Sequence, residues 1–206
     1  PDKRGIRPGS KMWKDLRSTV NQQLRTLRTA FDELRSTTGV SCFSESDDSL
    51  LMWAHYANHH RGICVEYDLL EINQALRFTA VPVIYSEQRT CFNSLELQDQ
   101  RIKDDAERLL VLSLTSKSHE WSYEKEWRII RDDGACGDLW DADKKGALLN
   151  MIRPSSITLG CAARPEFGDE VHDYCCANEI DFYKMEKDPM SYQLNKVPVL
   201  QFSSIT

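Results

Sequence analysis

The sequence predicts an α+β fold, in which a mixed, mostly antiparallel sheet has helices packed beside it and a long helix lies near the N-terminus. A regular apolar period predicts that helix. Further along the chain, short segments rich in β-branched and aromatic residues alternate irregularly with helical segments of unequal length. This irregular order favours a mixed sheet over a doubly wound parallel sheet. The chain also contains no G-x-G-x-x-G or P-loop pattern to anchor a nucleotide in the usual way.

The first helix is predicted over Lys11–Arg35, because apolar residues recur there every three or four positions. These residues are Trp13, Leu16, Val20, Leu24, Leu27, Phe31 and Leu34. The preceding residues 1–10 are rich in Pro, Gly and basic side chains and are predicted to be a linker. We therefore expect one α+β domain over residues 11–206.

Shorter elements follow the first helix. Helices are predicted over Ser49–His59, Leu69–Leu76, Leu95–Leu114 and Glu166–Ala177. Strands are predicted over Val40–Ser44, Ile63–Tyr67, Val81–Tyr85, Glu124–Arg131, Ser156–Leu159 and Asp181–Met185, with a short element at Leu148–Ile152. Asp47 and Asp48 are expected to cap the Ser49 helix, and Gly62 is expected to end it.

Composition narrows the class of protein. The 206 residues carry 26 Lys and Arg against 32 Asp and Glu, and the net charge of −6 argues against a broad nucleic-acid or membrane surface. The seven cysteines include no C-x-x-C pair, which indicates reduced thiols in a cytoplasmic protein. The chain begins with Pro1 rather than Met, so we expect an N-terminal segment of the domain to be missing.

A first candidate stretch, Ser41–Asp68, is polar and aromatic. If the helix continues to His59, Trp53, Tyr56 and His60 share one face, which suits stacking on a base or a nicotinamide ring. Ser44 and Ser46 lie at the preceding strand end, where hydroxyls often face a ligand or cap a helix. The alternative for Trp53 is simple core packing.

His55 and His59 also form an H-x-x-x-H pair in this stretch. A zinc site needs further ligands, and the sequence offers no third ligand at a suitable spacing. We therefore expect no metal.

A second candidate stretch, Lys117–Arg131, has the strongest signal. If Glu124–Arg131 is a strand, side chains alternate faces, so that Glu124, Glu126 and Arg128 point to the same side. Trp121 and Tyr123 precede them in a loop. The pattern is typical of a catalytic carboxylate pair in which Arg128 keeps one Glu ionised. It is equally compatible with a solvent-facing ladder of Glu and Arg.

Taken together, the two stretches resemble a bacterial family catalogued as domain-of-unknown-function family number 2971. The resemblance spans roughly Val40–Leu194. The first motif comprises Ser41, Phe43, Ser44, Met52, Trp53, Tyr56, Ala57, His60 and Gly62. The second comprises Lys117, Trp121, Tyr123, Glu124, Glu126, Trp127 and Arg128, and Ile157–Gly160 is similar as well. Members usually begin with a further strand and an Asn-Asp motif, which is absent here.

The layout also resembles ADP-ribosyltransferases more distantly, and this resemblance implies NAD as substrate. It implies that Glu126 binds the ribose 2′-hydroxyl, that Glu124 is its partner and that Tyr56 stacks on nicotinamide, while Ser44 supports the strand. The first motif of such enzymes would lie upstream of this chain. The implied role is a bacterial toxin or phage-defence effector that acts on a macromolecular target.

Three functions remain open from the sequence. An ADP-ribosyltransferase-like or NAD-consuming enzyme predicts Glu124 and Glu126 in an open cleft beside Tyr56. A non-catalytic binding or regulatory module predicts buried aromatic residues and a Glu126–Arg128 pair without an adjoining pocket. A metal-dependent nucleic-acid-processing enzyme would use Glu124, Glu126 and His60 with a divalent ion.

Overall fold

The computed structural model describes residues 7–76, 79–89, 102–132, 134, 140–141, 143, 146–147 and 153–199. The predicted element Leu148–Ile152 and residues 95–101 of the predicted second long helix lie outside these ranges. The chain folds into two compact units, each built from several segments of sequence. Unit 1 comprises Pro1–Val40, Ile84–His119 and Ile130–Ala147. Unit 2 comprises Ser41–Val83, Glu120–Ile129 and Leu148–Thr206.

The α+β class and the long N-terminal helix are confirmed. The helices are α1 (Lys11–Thr37), α2 (Leu50–Tyr56), α3 (Leu69–Leu76), α4 (Ile102–Thr115) and α5 (Pro165–Asn178), with a 3₁₀ helix at His119–Glu124. The strands are β1 (Thr38–Ser44), β2 (Ile63–Glu66), β3 (Val81–Pro82), β4 (Ile84–Ser86), β5 (Ser116–Ser118), β6 (Glu126–Asp132), β7 (Trp140–Asp141), β8 (Gly146–Ala147), β9 (Ser156–Leu159), β10 (Asp181–Lys187) and β11 (Leu194–Pro198).

Unit 1 contains a helix pair, because α1 and α4 pack along their apolar sides. Ser10 caps α1 by accepting a hydrogen bond from the Trp13 N–H at 3.2 Å. Leu27 and Ala106 form the buried centre of the pair, with Leu34 and Leu109 beside them. The apolar period that predicted α1 therefore packs at Leu27 and Leu34, whereas Leu16 and Leu24 are 46% and 39% exposed.

The main sheet of unit 2 has four strands in the order β11-β10-β9-β2. β9 and β10 run parallel, with Ser156 opposite Asp181, while β10 with β11 and β2 with β9 run antiparallel. α5 packs on this sheet through Val171 and Cys175, which are buried against Ile157 and Phe182. The parallel pair is the feature that makes the sheet mixed, as the irregular order of elements predicted.

A second sheet has three strands in the order β1-β6-β3, and β3 pairs antiparallel with β6 at Val81 and Arg128. Two short pairs complete the strands, a parallel pair of β4 with β5 and an antiparallel pair of β7 with β8. In the described part of the chain, no helix is long and apolar enough to cross a membrane.

Candidate functional site

The end of α2 meets the end of the 3₁₀ helix inside unit 2. Tyr56 Oη donates a hydrogen bond to Glu124 Oε1 at 2.7 Å. Glu124 is 2% exposed, whereas Tyr56 is 62% exposed. A buried carboxylate is costly unless it is hydrogen-bonded, and the Tyr56 phenol supplies such a bond. In return, Glu124 fixes an aromatic ring at the protein surface.

Glu124 lies at the end of the 3₁₀ helix and not on a strand, so the prediction of a strand over Glu124–Arg131 is wrong at its start. Lys125 has φ of 44°, a left-handed conformation that separates Glu124 from β6. Ser44 Oγ donates to the Glu124 carbonyl at 2.7 Å, and the Glu45 N–H donates to the Lys125 carbonyl at 3.3 Å. The strand end at Ser44 therefore fixes the backbone that carries Glu124.

Tyr56 belongs to a chain of neighbouring aromatic rings. We call these rings the aromatic surface: His55, Tyr56, Trp121 and Tyr123. The His55 ring centroid lies 6.5 Å from that of Tyr56 and 6.3 Å from that of Trp121. Trp121 and Tyr123 are 6.0 Å apart and tilted by 36°. Trp121 is 38% exposed. The aromatic surface presents ring area to solvent, and the buried Glu124 carboxyl lies at the hydroxyl end of Tyr56.

Glu126 and Arg128 form a bidentate ion pair at the start of β6. Arg128 Nε and Nη2 donate to the two carboxylate oxygens at 2.8 and 2.9 Å, which confirms the predicted Glu–Arg pairing. The side chain of Glu126 is 8% exposed and that of Arg128 is 14% exposed. The hydrogen bond with Glu126 raises the pKa of Arg128 although burial opposes this. The expected open cleft is wrong for both carboxylates, since Glu124 is 2% and Glu126 7% exposed.

Trp53, Tyr56 and His60 do not share a helix face, because α2 ends at Tyr56. Asn58, His59 and His60 then adopt φ of 47°, 55° and 65°, three consecutive left-handed residues. The Gly62 N–H donates to the Ala57 carbonyl at 2.8 Å and closes this turn. The prediction that Gly62 ends the helix is therefore wrong, because the C-cap of α2 is Ala57.

His60 is held by its backbone. Its N–H donates to the Trp53 carbonyl at 3.0 Å, and its carbonyl accepts from the Ala162 N–H at 2.9 Å. A Cβ at Gly160 would lie 2.2 Å from the His60 oxygen, so only glycine fits there. His60 Nδ1 is buried and has no hydrogen-bond partner in the described part of the protein. Burial lowers the pKa of His60, and Lys187 and His59 lower it further.

Trp53 is a core residue. It is 3% exposed and packs with Met185 and Leu194, while its Nε1–H donates to the Asp47 carbonyl at 2.5 Å. The interpretation of Trp53 as part of a ligand-binding face is therefore corrected in favour of packing.

Ser46 has a local structural role. Its hydroxyl donates to the Asp48 carboxylate, and its N–H donates to Ser44 Oγ at 3.2 Å. The predicted capping of α2 by Asp47 and Asp48 is wrong, because Ser49 occupies the N-cap and accepts from the Met52 N–H at 3.4 Å.

The sequence interpretation missed a charged network that links the two edge strands of the main sheet, β11 and β2. Lys196 Nζ lies 2.9 Å from Asp47 Oδ2 and 2.8 Å from Glu66 Oε2. Ser156 Oγ also donates to Glu66 at 2.6 Å. These hydrogen bonds, first that from Lys196 and then that from Ser156, lower the pKa of Glu66. Because 130 positions separate Glu66 from Lys196, no local spacing signals the contact.

A second missed contact joins the two candidate stretches. Trp127 Nε1–H donates to Glu45 Oε1 at 2.5 Å, across 82 positions of sequence. His55 was likewise considered only as a metal ligand, whereas it packs against Trp121. Among the described residues, no group of three or more His, Cys, Asp or Glu is placed to hold a metal ion.

Comparison with known proteins finds a family model that matches part of the chain. Residues 52–129 match the family described as "Protein of unknown function (DUF2971)", which confirms the resemblance inferred from the sequence. The matched range includes the Tyr56–Glu124 contact and the Glu126–Arg128 pair. No curated protein and no solved structure matches the chain.

Proposed function

We propose that the aromatic surface binds NAD, and that the protein cleaves the bond between nicotinamide and ribose. The observation that carries the proposal is the 2.7 Å hydrogen bond between the exposed Tyr56 and the buried Glu124. It combines a ring available for stacking with a buried carboxyl group at the hydroxyl end of that ring. A flat ring that carries positive charge, such as the nicotinamide of NAD, is the ligand best suited to both features.

In the proposed reaction, the C1′–N bond breaks and nicotinamide leaves with the bonding electron pair. A water molecule or a nucleophile on a macromolecule forms the new bond to C1′ and loses a proton. Positive charge develops on the ribose as the bond breaks. The Tyr56 oxygen, made more negative by its hydrogen bond to Glu124, stabilises that charge.

The two carboxylates take different roles from those that the resemblance implied. Glu124 is the positioning residue that orients and polarises Tyr56. Glu126 and Arg128 together hold the start of β6, because Arg128 donates to both carboxylate oxygens of Glu126. Ser44 positions Glu124 through its hydrogen bond to the Glu124 carbonyl.

A test starts with binding. We expect NAD to bind the wild-type chain in calorimetric titration and to raise its melting temperature, since a ligand that binds the folded state stabilises it. Tyr56→Ala should weaken NAD binding by about tenfold, because an aromatic stacking contact contributes roughly 1–3 kcal/mol. Tyr174→Ala is the matched control, since Tyr174 is 53% exposed and lies on α5. Equal NAD affinity in both variants would refute the binding site.

Turnover is tested by nicotinamide release from NAD. Tyr56→Phe keeps the ring and removes the hydroxyl that contacts Glu124. It should therefore retain NAD binding and lose turnover by about a hundredfold, a typical loss for one polar group that acts on the transition state. Unchanged release by Tyr56→Phe would contradict the proposed reaction.

A second candidate, a non-catalytic nucleotide-binding module, is favoured by the burial of Glu124 and Glu126. It predicts NAD binding that depends on Tyr56 and no nicotinamide release above the rate without protein. The same two measurements therefore separate the candidates.

The proposed setting is the bacterial cytoplasm, where the protein acts as a toxin or phage-defence effector and passes ADP-ribose to a macromolecular target. Expression in bacteria should then slow growth, and Tyr56→Phe should restore it. Equal growth inhibition by both proteins at equal expression would exclude this role.

A further inference from the structure

A cavity of about 610 Å³ lies inside unit 2, between the end of β1 and the end of β2. This volume is typical of small-molecule binding sites, which span roughly 300–1,000 Å³. Two kinds of side chain in its wall determine what it can accept. Three are aromatic and three are acidic: Phe43, Tyr67, Trp127, Glu45, Asp47 and Glu66. We call it the acidic aromatic cavity.

The aromatic wall is fixed by contacts. Phe43 and Tyr67 meet edge to face, with centroids 6.3 Å apart and an interplanar angle of 90°. Trp127 is held by its hydrogen bond to Glu45 at 2.5 Å. The faces of aromatic rings carry partial negative charge and attract cations, most strongly for Trp. A cation with an apolar body therefore gains from both the ring faces and the buried area.

The charged wall selects the same ligand. None of the residues described as lining the cavity is Lys or Arg. Lys196 on β11 pairs with Asp47 and Glu66, whereas Glu45 accepts a hydrogen bond from the neutral Trp127 indole. Arg128 contacts Cys42 in the wall, but its charge is matched by Glu126. The remaining negative charge opposes an anionic ligand and favours a cation.

The pKa of Cys64, a thiol in the cavity wall, is shifted by burial and by the same charged groups. Burial raises the pKa of Cys64, Asp47 and Glu66 raise it further, and Lys196 acts in the opposite direction. Burial alone would raise this pKa, and the two carboxylates of the wall act in the same direction.

We propose that the acidic aromatic cavity binds a small organic cation, an ammonium group carried on an aromatic or aliphatic body. The ammonium lies beside Glu45 at the Trp127 face, and the body fills the apolar part of the cavity. This site is separate in its residues from the aromatic surface and does not rest on the proposed reaction with NAD.

The test uses three probes that share one body and differ in charge: 2-phenylethylammonium, 2-phenylethanol and 3-phenylpropionate. Each is titrated calorimetrically into the full wild-type chain. We expect the ammonium to bind at least about tenfold more tightly than the alcohol, because a hydrogen bond to a charged group is stronger than a neutral one. The carboxylate should bind most weakly. Equal affinity of ammonium and alcohol, or no ammonium binding at millimolar concentration, would overturn the proposal.

A matched variant locates the site. Glu45→Gln removes the charge and retains an oxygen that accepts from Trp127 Nε1–H. It should weaken ammonium binding by about fivefold to tenfold and leave alcohol binding unchanged. Glu186→Gln, an exposed carboxylate on β10, is the control and should bind like wild type. Ammonium binding by Glu45→Gln at wild-type affinity would refute the assignment.

Two further measurements keep the result independent of folding and of NAD. Raising the ionic strength with the wild-type chain should weaken ammonium binding and not alcohol binding, since salt screens charge. Tyr56→Ala should bind the ammonium as wild type does, even where NAD binding is lost. Loss of ammonium binding in Tyr56→Ala would show that the probe occupies the aromatic surface instead, which would also overturn the proposal.

Discussion

Unit 2 contains two aromatic regions that place their carboxylates in opposite ways. In the aromatic surface, Glu124 is 2% exposed and its carboxyl accepts a hydrogen bond from the exposed Tyr56. In the acidic aromatic cavity, the side chain of Glu66 is 54% exposed, and it lines the space together with Tyr67 and Trp127. The first arrangement polarises a phenol, whereas the second presents charge directly to a ligand.

The difference shows why counting aromatic and acidic residues does not define a site. A buried carboxylate acts through the group that satisfies it, so Glu124 acts through Tyr56. A half-exposed carboxylate keeps part of its hydration and can exchange water for a ligand. We therefore expect the aromatic surface to depend on one hydrogen bond and the cavity to depend on net charge.

The largest effect should come from Glu126→Ala. This change leaves Arg128 without its bidentate partner in a setting where both side chains are largely buried. Breaking such a pair typically costs about 3–5 kcal/mol of unfolding free energy. Urea unfolding measures the loss, and the exposed Glu186→Ala is the control, expected within about 0.5 kcal/mol of wild type.

The double variant Glu126→Ala, Arg128→Met sharpens this result. Its loss of unfolding free energy should be smaller than the sum of the losses in the two single variants, since the Arg128 charge that Glu126 matched is also removed. If Glu126→Ala lowers the unfolding free energy as little as Glu186→Ala does, the ion pair does not stabilise the fold. Glu126 would then again be a candidate catalytic carboxylate.

The next effect concerns the left-handed turn at His60, which follows the end of α2 at Tyr56. A Cβ at position 160 would meet the His60 carbonyl at 2.2 Å, and backbone cannot move aside as a side chain can. Gly160→Ala should therefore destabilise the fold by about 3 kcal/mol in thermal or urea unfolding. Gly134→Ala, whose Cβ would lie 3.6 Å from Asp132 Oδ1, should change little. Similar stability of the two variants would contradict the close approach.

Tyr56→Phe should have a smaller effect on stability. It removes a hydrogen-bond donor from the buried Glu124, and leaving a buried acceptor less satisfied costs about 1–3 kcal/mol. Tyr192→Phe is the control, because Tyr192 is 96% exposed. If both variants unfold at the same urea concentration, the Tyr56–Glu124 bond contributes nothing to stability, and the contrast between the two aromatic regions fails.

The smallest effect is a pH dependence of the unfolding free energy that arises from Glu66 in the cavity wall. Hydrogen bonds from Lys196 and Ser156 lower the pKa of Glu66 below its ordinary value of 4.5. The carboxylate therefore adds stability above pH 4.5, and this contribution is lost as the pH falls through the lower folded-state pKa. Glu66→Gln should flatten the decline of unfolding free energy below that pH, measured by urea unfolding between about pH 3 and pH 6. A decline as steep as that of wild type would show that Glu66 is not stabilised by Lys196.

Periodic apolar residues made the helices predictable, and α1 follows its predicted bounds within two residues at its end. The Glu126–Arg128 pair was also predictable, because alternate residues on a strand share a face. Glu124 was misplaced because H-E-W-S-Y-E-K-E-W-R continues the alternation through Lys125. Nothing in a lysine signals its positive φ.

Long-range contacts account for the rest. His60 was placed on a helix face because Asn58, His59 and His60 are acceptable helix residues; tertiary contacts with Gly160 and Ala162 instead accompany a left-handed turn. The Lys196 contacts with Asp47 and Glu66 join distant segments through strand pairing, for which one sequence offers no local pattern. Sequence reasoning located the two stretches and placed Glu124 beside Tyr56, which the hydrogen bond between them confirms. The contact of Trp127 with Glu45 required the fold.

The most direct test of the central contrast uses the indole N–H signals of Trp121 and Trp127 in a ¹⁵N-labelled chain. NAD is added to one sample and 2-phenylethylammonium to another. We predict that NAD shifts the Trp121 indole signal and leaves Trp127 in place, while the ammonium shifts Trp127 and leaves Trp121 in place. The account would be contradicted if NAD shifted the Trp127 signal instead, or if saturating NAD shifted neither signal.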